Sequence, residues 1–367
     1  LPRSASRARV RPKIEELLSL AEFEAGSERS MSAMARAYAC GGAGDELTLR
    51  ANCEDWQRIR LNPRVLVDVS NIDVKTELLG QTFDLPILLA PAAFHRLWHD
   101  DGERATVKGA SQAGAAMVLS SYSTEAVETI ARATSHPLWF QLYTQPDREV
   151  TRAMIERAQA AGCRAICVTV DTPVLGLRHR ETRVRFQVPP GFTLPNLPVR
   201  PTSHVPQRGS AFTGVMHSSL DWKYIEWLRS FAKVPILLKG VLNPEDAARA
   251  ASEGVAGLIV SNHGARNLDT LPSTAAALPR IAEKVRGKPL LLLVDGGIRR
   301  GTDVVKALAM GASAVLIGRP YLHGLAIAGA AGVARVIEIL RNELMMAMAL
   351  TGRTSIQQID RSVLWQD

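Results

Sequence analysis

From residue 87 onward, short apolar runs alternate with Ala- and Glu-rich stretches of helical period. The runs are Ile87–Ala90, Met117–Ser121, Leu138–Tyr143, Ala165–Asp171, Ile236–Gly240, Gly257–Asn262, Leu290–Gly296 and Ala314–Arg319. Each is nearly continuous in hydrophobicity, as parallel strands covered on both faces are. Helical segments follow, among them Asp101–Gln112, Arg148–Ala161, Pro244–Glu253 and Gly301–Met310. Eight strand–helix units are the count of a TIM (β/α)8 barrel. An open doubly wound sheet would want G-x-G-x-x-G after its first strand, and none is there. The expected fold class is therefore α/β, a TIM barrel over residues 87–367 with an N-terminal helical extension over residues 1–86. A long insert, residues 172–235, follows the fourth strand. It holds Pro189, Pro190, Pro195, Pro198, Pro201 and Pro206, so it reads as loop bordering the barrel mouth.

A barrel interior is packed with aliphatic side chains, so polar residues where its strands end need a reason. Here they are dense. Ser120 ends the second strand. Gln141 and Tyr143, two apart and so on one face, lie on the third, and Thr169 and Asp171 repeat that spacing on the fourth. Lys239 ends the fifth. The sixth runs into Ser261-Asn262-His263-Gly264-Ala265-Arg266, the seventh into Asp295-Gly296-Gly297-Ile298-Arg299, and the eighth into Gly318-Arg319. The first contributes only Pro91, Ala92 and Ala93, small residues that let backbone approach a flat ligand. Any one of these polar residues alone reads as structural. All at one height read as a site. The loops after strands seven and eight form the usual phosphate site of barrels, and two glycine turns with Arg299 and Arg319 suit a phosphate-bearing cofactor. His263 is the candidate acid–base residue, with Asp171 placed to hold its ring. Arg266 can clamp a carboxylate with two parallel hydrogen bonds. His95, close to the first strand end, is a secondary candidate.

Composition narrows the class. At 46% hydrophobic and 22% charged residues, this is an ordinary globular chain. The net charge of +8 favours an anionic ligand and permits nucleic acid, but 5% aromatic residues is thin for a protein that stacks bases. Cys40, Cys53, Cys163 and Cys167 form no C-x-x-C and sit beside no plausible histidine ligand, so no metal site is expected. This cysteine usage fits a reducing compartment, and a cytoplasmic address is the expectation. No apolar run approaches 18 residues, so no membrane span is expected. Leu1–Lys13 carries five basic residues and no acidic one. With Leu rather than Met at its start, it reads as the solvated tail of a trimmed or processed chain.

The run Ser261-Asn262-His263-Gly264-Ala265-Arg266-Asn267-Leu268-Asp269 closely resembles S-N-H-G-(G/A)-R-Q-L-D, the signature of the FMN-dependent L-2-hydroxy-acid oxidases and dehydrogenases. The resemblance extends from about residue 30 to about residue 360. It takes in Gln141-Leu142-Tyr143, Thr169-Val170-Asp171-Thr172-Pro173, Leu238-Lys239-Gly240, Asp295 to Asp303 and Gly318-Arg319-Pro320. It implies FMN across the barrel mouth. Ala92, Ala93, Ser120, Gln141, Thr169 and Lys239 would hold the ring system, and Ser261 the ribityl chain or ring. Asp295, Gly296, Gly297, Arg299, Gly318 and Arg319 would take ribityl and phosphate. For substrate it implies Tyr38, Tyr143, Arg178 and Arg266, with His263 as base assisted by Asp171. Tyr122 stands where glycolate oxidases carry Trp and where lactate and long-chain oxidases carry Tyr, so lactate or a longer 2-hydroxy acid is expected. Asn267 replaces the family's usual Gln.

Three features point to O2 as the electron acceptor, with release of H2O2: no haem domain precedes the barrel, no membrane segment reaches a quinone, and Ala93 matches the oxidases. Expected partners are thus a small 2-hydroxy acid and O2, with neither nucleic acid nor membrane. The resemblance implies a homotetramer or homo-octamer. The alternatives are a dehydrogenase with another acceptor, another FMN- or phosphate-binding barrel enzyme, and a basic binding protein without catalysis.

Overall fold

The computed structural model describes residues 13–197 and 216–365. The basic stretch before Lys13, and Pro198, Pro201 and Pro206 of the insert, lie outside the described residues. Eight parallel strands close into a barrel: β1 Ile87–Leu89, β2 Ala116–Ser120, β3 Leu138–Leu142, β4 Ile166–Thr169, β5 Ile236–Val241, β6 Gly257–Val260, β7 Leu291–Val294 and β8 Ala314–Ile317. Each pairs with the next in chain order, and β8 closes on β1 through Val315–Ile87 and Ile317–Leu89. The strands are short and almost wholly buried, which accounts for their unbroken hydrophobicity. Residues 170–171, 261–262, 295–296 and 318–319, which the apolar pattern assigns to strands, instead lie just beyond the strand ends.

The connecting helices start where their caps dictate. Asp147, Asn243 and Ser273 each accept a backbone N–H of the first turn that would otherwise be unpaired, and Pro244 follows Asn243 with its φ already suited to a helix. Register sets the level of the site. Ser120 pairs with Gln141 and Thr169 with Lys239, so these polar side chains share one rim. At Gly240 the β5–β6 ladder slips, with φ +108° and with Asp171 where a Cβ would go. Only glycine admits Asp171 this close to β5.

The N-terminal extension is not helical throughout. Helices Leu20–Ser27, Ala33–Cys40 and Leu47–Arg58 are followed by an antiparallel hairpin, Thr76–Leu78 with Gln81–Phe83, turned at Leu79 and Gly80, both of positive φ. Leu78 and Phe83 pack with the inward side chains of the barrel, including Leu88, Trp139, Leu237 and Leu293. Phe83 meets Trp139 edge to face at 5.9 Å, so the hairpin stoppers the barrel floor.

The described part of the insert is not all loop. It carries the short helix His179–Arg183 and, before β5, the helix Trp222–Phe231. The last helix, Arg319–Leu350, corrects the reading from run length. By length and composition it is apolar enough to cross a membrane, and 72% of its most apolar window is buried in the fold. It breaks at Ala328 and Gly329 and packs on Gly102–Gln112, where Gly109 faces the Ala330 carbonyl with no room for a Cβ.

Candidate active site

After β6 the chain enters three successive left-handed residues, His263, Gly264 and Ala265, at φ +58°, +61° and +62°. For His and Ala this conformation is strained, so the surroundings must hold it. They do so through Asn262, whose Oδ1 accepts the Ala265 N–H at 3.1 Å, and which exchanges two amide bonds with Asn52 at 2.9 and 2.8 Å. The result aims the His263 ring into the barrel mouth. Its Nδ1–H donates to Asp171 Oδ1 at 2.8 Å. That leaves Nε2 as acceptor, 3.2 Å from the Tyr143 hydroxyl. Burial pushes His263 below the ordinary imidazole range, although Asp171 pulls the other way, so the ring is neutral at pH 7. Burial alone would raise Asp171, but His263, Lys239 and Thr172 outweigh it and the carboxyl stays ionised. Thr172 and Asn267, which sequence reasoning gave no role, brace this carboxylate. Thr172 Oγ1 donates to its Oδ1 at 2.9 Å, and Asn267 donates to the Asp171 carbonyl at 2.8 Å.

To one side lie two guanidinium groups. Arg266 stacks over the Tyr38 ring at 4.5 Å, hydrogen-bonds the Tyr38 carbonyl, and donates to Glu181 Oε1 at 2.9 Å. Arg178 donates through Nε to the Arg266 carbonyl at 3.0 Å. Burial lowers the pKa of Arg178, with Arg266 adding to the effect. Burial raises Tyr38 and, more strongly, Tyr143, so both hydroxyls keep their protons as donors. Phe94, Tyr122, Leu175 and Met216 complete the wall of the same cavity.

To the other side the rim is a chain of paired polar groups. Ser120 Oγ donates to Gln141 Oε1 at 3.0 Å, and Gln141 Nε2 donates to Thr169 at 2.9 Å. Lys239 reaches Ser261 Oγ at 2.9 Å and Asp295 at 3.1 Å. Burial would lower its pKa, but Asp295 and Asp171 outweigh that and keep it charged. Ala92, Ala93 and Gly318 leave a smooth surface beside it. At the far end stand Gly296 and Gly297, both of positive φ, with Arg299 and Arg319. Arg319 donates to the carbonyls of Ala39, Gly41 and Gly264 and has no acid within ion-pair distance among the described residues. Burial, with Arg266 and Arg299 nearby, pushes its pKa down to about 10. A half-buried cation that faces the cavity without an acid partner suits an anionic ligand.

Most of these groups line one cavity, which opens to solvent. Two candidates stand apart from its lining. Asp171 sits behind His263. Ser261 is fully buried, and its Oγ accepts from Lys239 Nζ and from the His263 N–H. His95 is a core residue, hydrogen-bonded to Thr106 and Tyr321. The four cysteines are free thiols, and burial pushes Cys163 and Cys167 up to about 12. No cluster of metal-binding side chains occurs among the described residues.

Comparison with known proteins places this geometry. The profile of the FMN-dependent dehydrogenases matches residues 27–366. The L-lactate oxidase of Nostoc sp. is 48% identical over 361 residues, spanning 96% of this chain and 99% of that protein. Glycolate oxidase 1 of Zea mays is 44% identical, spanning 94% and 95%. Among solved structures, mandelate oxidase with (S)-2-phenylpropionate superposes with a TM-score of 0.87 at 36% identity, covering 96% of this chain and 98% of that one.

Proposed function

The chain belongs to the FMN-dependent dehydrogenase family, within which its relatives are 2-hydroxy-acid oxidases, and on that premise we propose that it oxidises L-lactate or a longer L-2-hydroxy monocarboxylate and passes the electrons to O2. The cofactor is FMN. The residues present suit it: the acid-free Arg319, with Arg299 and the Gly296–Gly297 turn, would hold the phosphate. Lys239, Gln141, Ser120 and Thr169 would meet the polar edge of the ring system, and Ala92 and Ala93 its face. When bound, FMN supplies an acceptor for two electrons and a route to O2.

The chain's own residues do the rest. Arg266 and Arg178 hold the substrate carboxylate, the first in a forked geometry. Tyr143 donates to the 2-hydroxyl. His263 Nε2 takes the hydroxyl proton, and Asp171 stabilises the imidazolium that results. Oxidation to the 2-oxo acid removes that proton and one further hydrogen with the electron pair. The observation that carries the reading is the chain Asp171–His263–Tyr143, at 2.8 and 3.2 Å, facing the two arginines across one cavity.

The preference for lactate and longer acids over glycolate is supported by the apolar wall of Phe94, Leu175 and Met216 beside Tyr122, and by the lactate oxidase relative. The experiment is anaerobic reduction by L-lactate followed by mixing with air-saturated buffer. Rapid bleaching of the flavin, then reoxidation faster than turnover with one H2O2 per cycle, is expected. Reoxidation over minutes, with rapid turnover on an artificial acceptor, would make it a dehydrogenase. A tenfold preference for glycolate in kcat/KM would overturn the substrate assignment.

A further inference from the structure

The mechanism leaves unused a buried charge that lies against the substrate arginines. Glu181 is 1% exposed. It lies in the helix His179–Arg183, three residues after Arg178, and points inward between the two guanidinium groups. Its Oε1 accepts from Arg266 at 2.9 Å. Its Oε2 lies 3.7 Å from Arg178 Nη1 and has no hydrogen-bond partner. A carboxylate this deep persists only where cations hold it. Here it faces the two cations assigned to the substrate, so it changes what they can bind. Two positive charges and one negative leave this end of the cavity at +1.

We propose that Glu181 is a positioning and specificity-determining residue: it holds Arg178 and Arg266 in place and cancels one of their charges, so that the site selects substrates bearing a single carboxylate and rejects 2-hydroxy dicarboxylates. The proposal rests on the hydroxy-acid reading. One substrate carboxylate brings this end to neutrality. A second would find no cation left to meet it among the described residues, because the wall of Phe94, Leu175 and Met216 contributes none. The same carboxylate restrains the arginines. Arg178 is fixed at Nε by the Arg266 carbonyl and faces Glu181 at Nη1, so both guanidinium planes depend on one acid.

Glu181→Gln keeps the shape and removes the charge, whereas Glu181→Asp keeps the charge and withdraws it by one methylene. The FMN-loaded wild type and both variants are titrated with propanoate and with malonate, reading the perturbation of the flavin spectrum, which needs no turnover. Wild type should bind propanoate more tightly than malonate. Glu181→Gln should shift the malonate-to-propanoate ratio by tenfold or more toward the dianion, and Glu181→Asp should not. With L-lactate, Glu181→Gln should raise KM about tenfold with kcat within about threefold, the pattern of lost uniform binding. An unchanged anion ratio in Glu181→Gln, or tighter malonate than propanoate in wild type, overturns the proposal. If Glu181→Gln yields no folded flavoprotein, Glu181→Asp decides. A raised lactate KM with the wild-type anion ratio supports the proposal, and a wild-type KM overturns it. Failure of wild type to be reduced by any 2-hydroxy monocarboxylate would count against the functional reading instead, and the anion titration would still stand.

Discussion

His263 is held at a φ of +58° by neighbours that contribute nothing else to the chemistry, and that strain is what turns its ring into the cavity. Its protonation then fixes the pH response. Burial lowers its pKa below 6.5, and the neutral form is the base, so activity is present above that pKa and lost as pH falls through it. The rate of flavin reduction by L-lactate should therefore fall only below about pH 6.5. Asp171→Asn removes the one neighbouring charge that raises His263. The acid limb should move to still lower pH, and the rate should drop roughly a hundredfold because the imidazolium loses its partner. Stopped-flow reduction across pH 5–9 tests both, and an acid limb above pH 7 in wild type would contradict the assignment. At this scale much of the site was legible. Polar residues ending apolar runs, such as Gln141, Thr169 and Lys239, break a pattern and so announce themselves. Glu181, Thr172 and Asn267 were not legible. They sit in the insert after β4, Glu181 within its short helix, and in the loop after β6, where nothing in the sequence pattern marks an inward-facing group.

The barrel strands were legible because two-sided burial leaves unbroken apolar runs, and their ends were overread because Asp171 and Asn262 continue the chain direction without pairing. The hairpin Thr76–Leu78 and Gln81–Phe83 was missed for a local reason. Its strands have three residues each, too few to show alternation, and its turn is Leu79-Gly80 rather than the Asn-Gly that marks such turns. Its contribution lies in Phe83, 3% exposed against Trp139 on the barrel floor. Phe83→Ala should cost about 3–5 kcal/mol of stability, the range for emptying a core aromatic site. Because the floor lies at the opposite end from the strand termini that build the site, KM for L-lactate should be unchanged. Chemical denaturation of the FMN-loaded protein and steady-state kinetics measure the two. A loss below 1 kcal/mol would mean that the hairpin is not a stopper. The last helix carries Arg335, Glu338 and Arg341 among its apolar residues, and 72% of its most apolar window is buried in the fold.

At the scale of the whole molecule, several cations gather at the barrel mouth. Arg178, Arg266 and Arg319 are all drawn into one cavity, where the pKa of Arg319 is lowered by burial first and by Arg266 and Arg299 next. Glu181 offsets one of these charges, and Asp295 offsets Lys239. Nothing among the described residues offsets Arg319. The fold thus holds a cation without an acid partner at the end that would receive the phosphate, and binding energy that could have stabilised the empty protein is reserved for the cofactor. A ligand that binds only the folded state at a hundredfold excess over its Kd adds about 2.7 kcal/mol. At about 2 °C per kcal/mol for a large domain, removing FMN should lower the melting temperature by about 5 °C or more. Inorganic phosphate, which meets the Arg299 and Arg319 end alone, should recover part of that loss, whereas chloride at equal ionic strength should not. Arg319→Ala should abolish the phosphate effect and weaken FMN retention on gel filtration, since it removes a charge-assisted contact to a dianion. The discriminating comparison is apo-protein with phosphate against apo-protein with chloride. Equal melting temperatures in the two would show that Arg319 is stabilised by its three carbonyl partners and not by an anion, and would move the phosphate end of FMN away from β8.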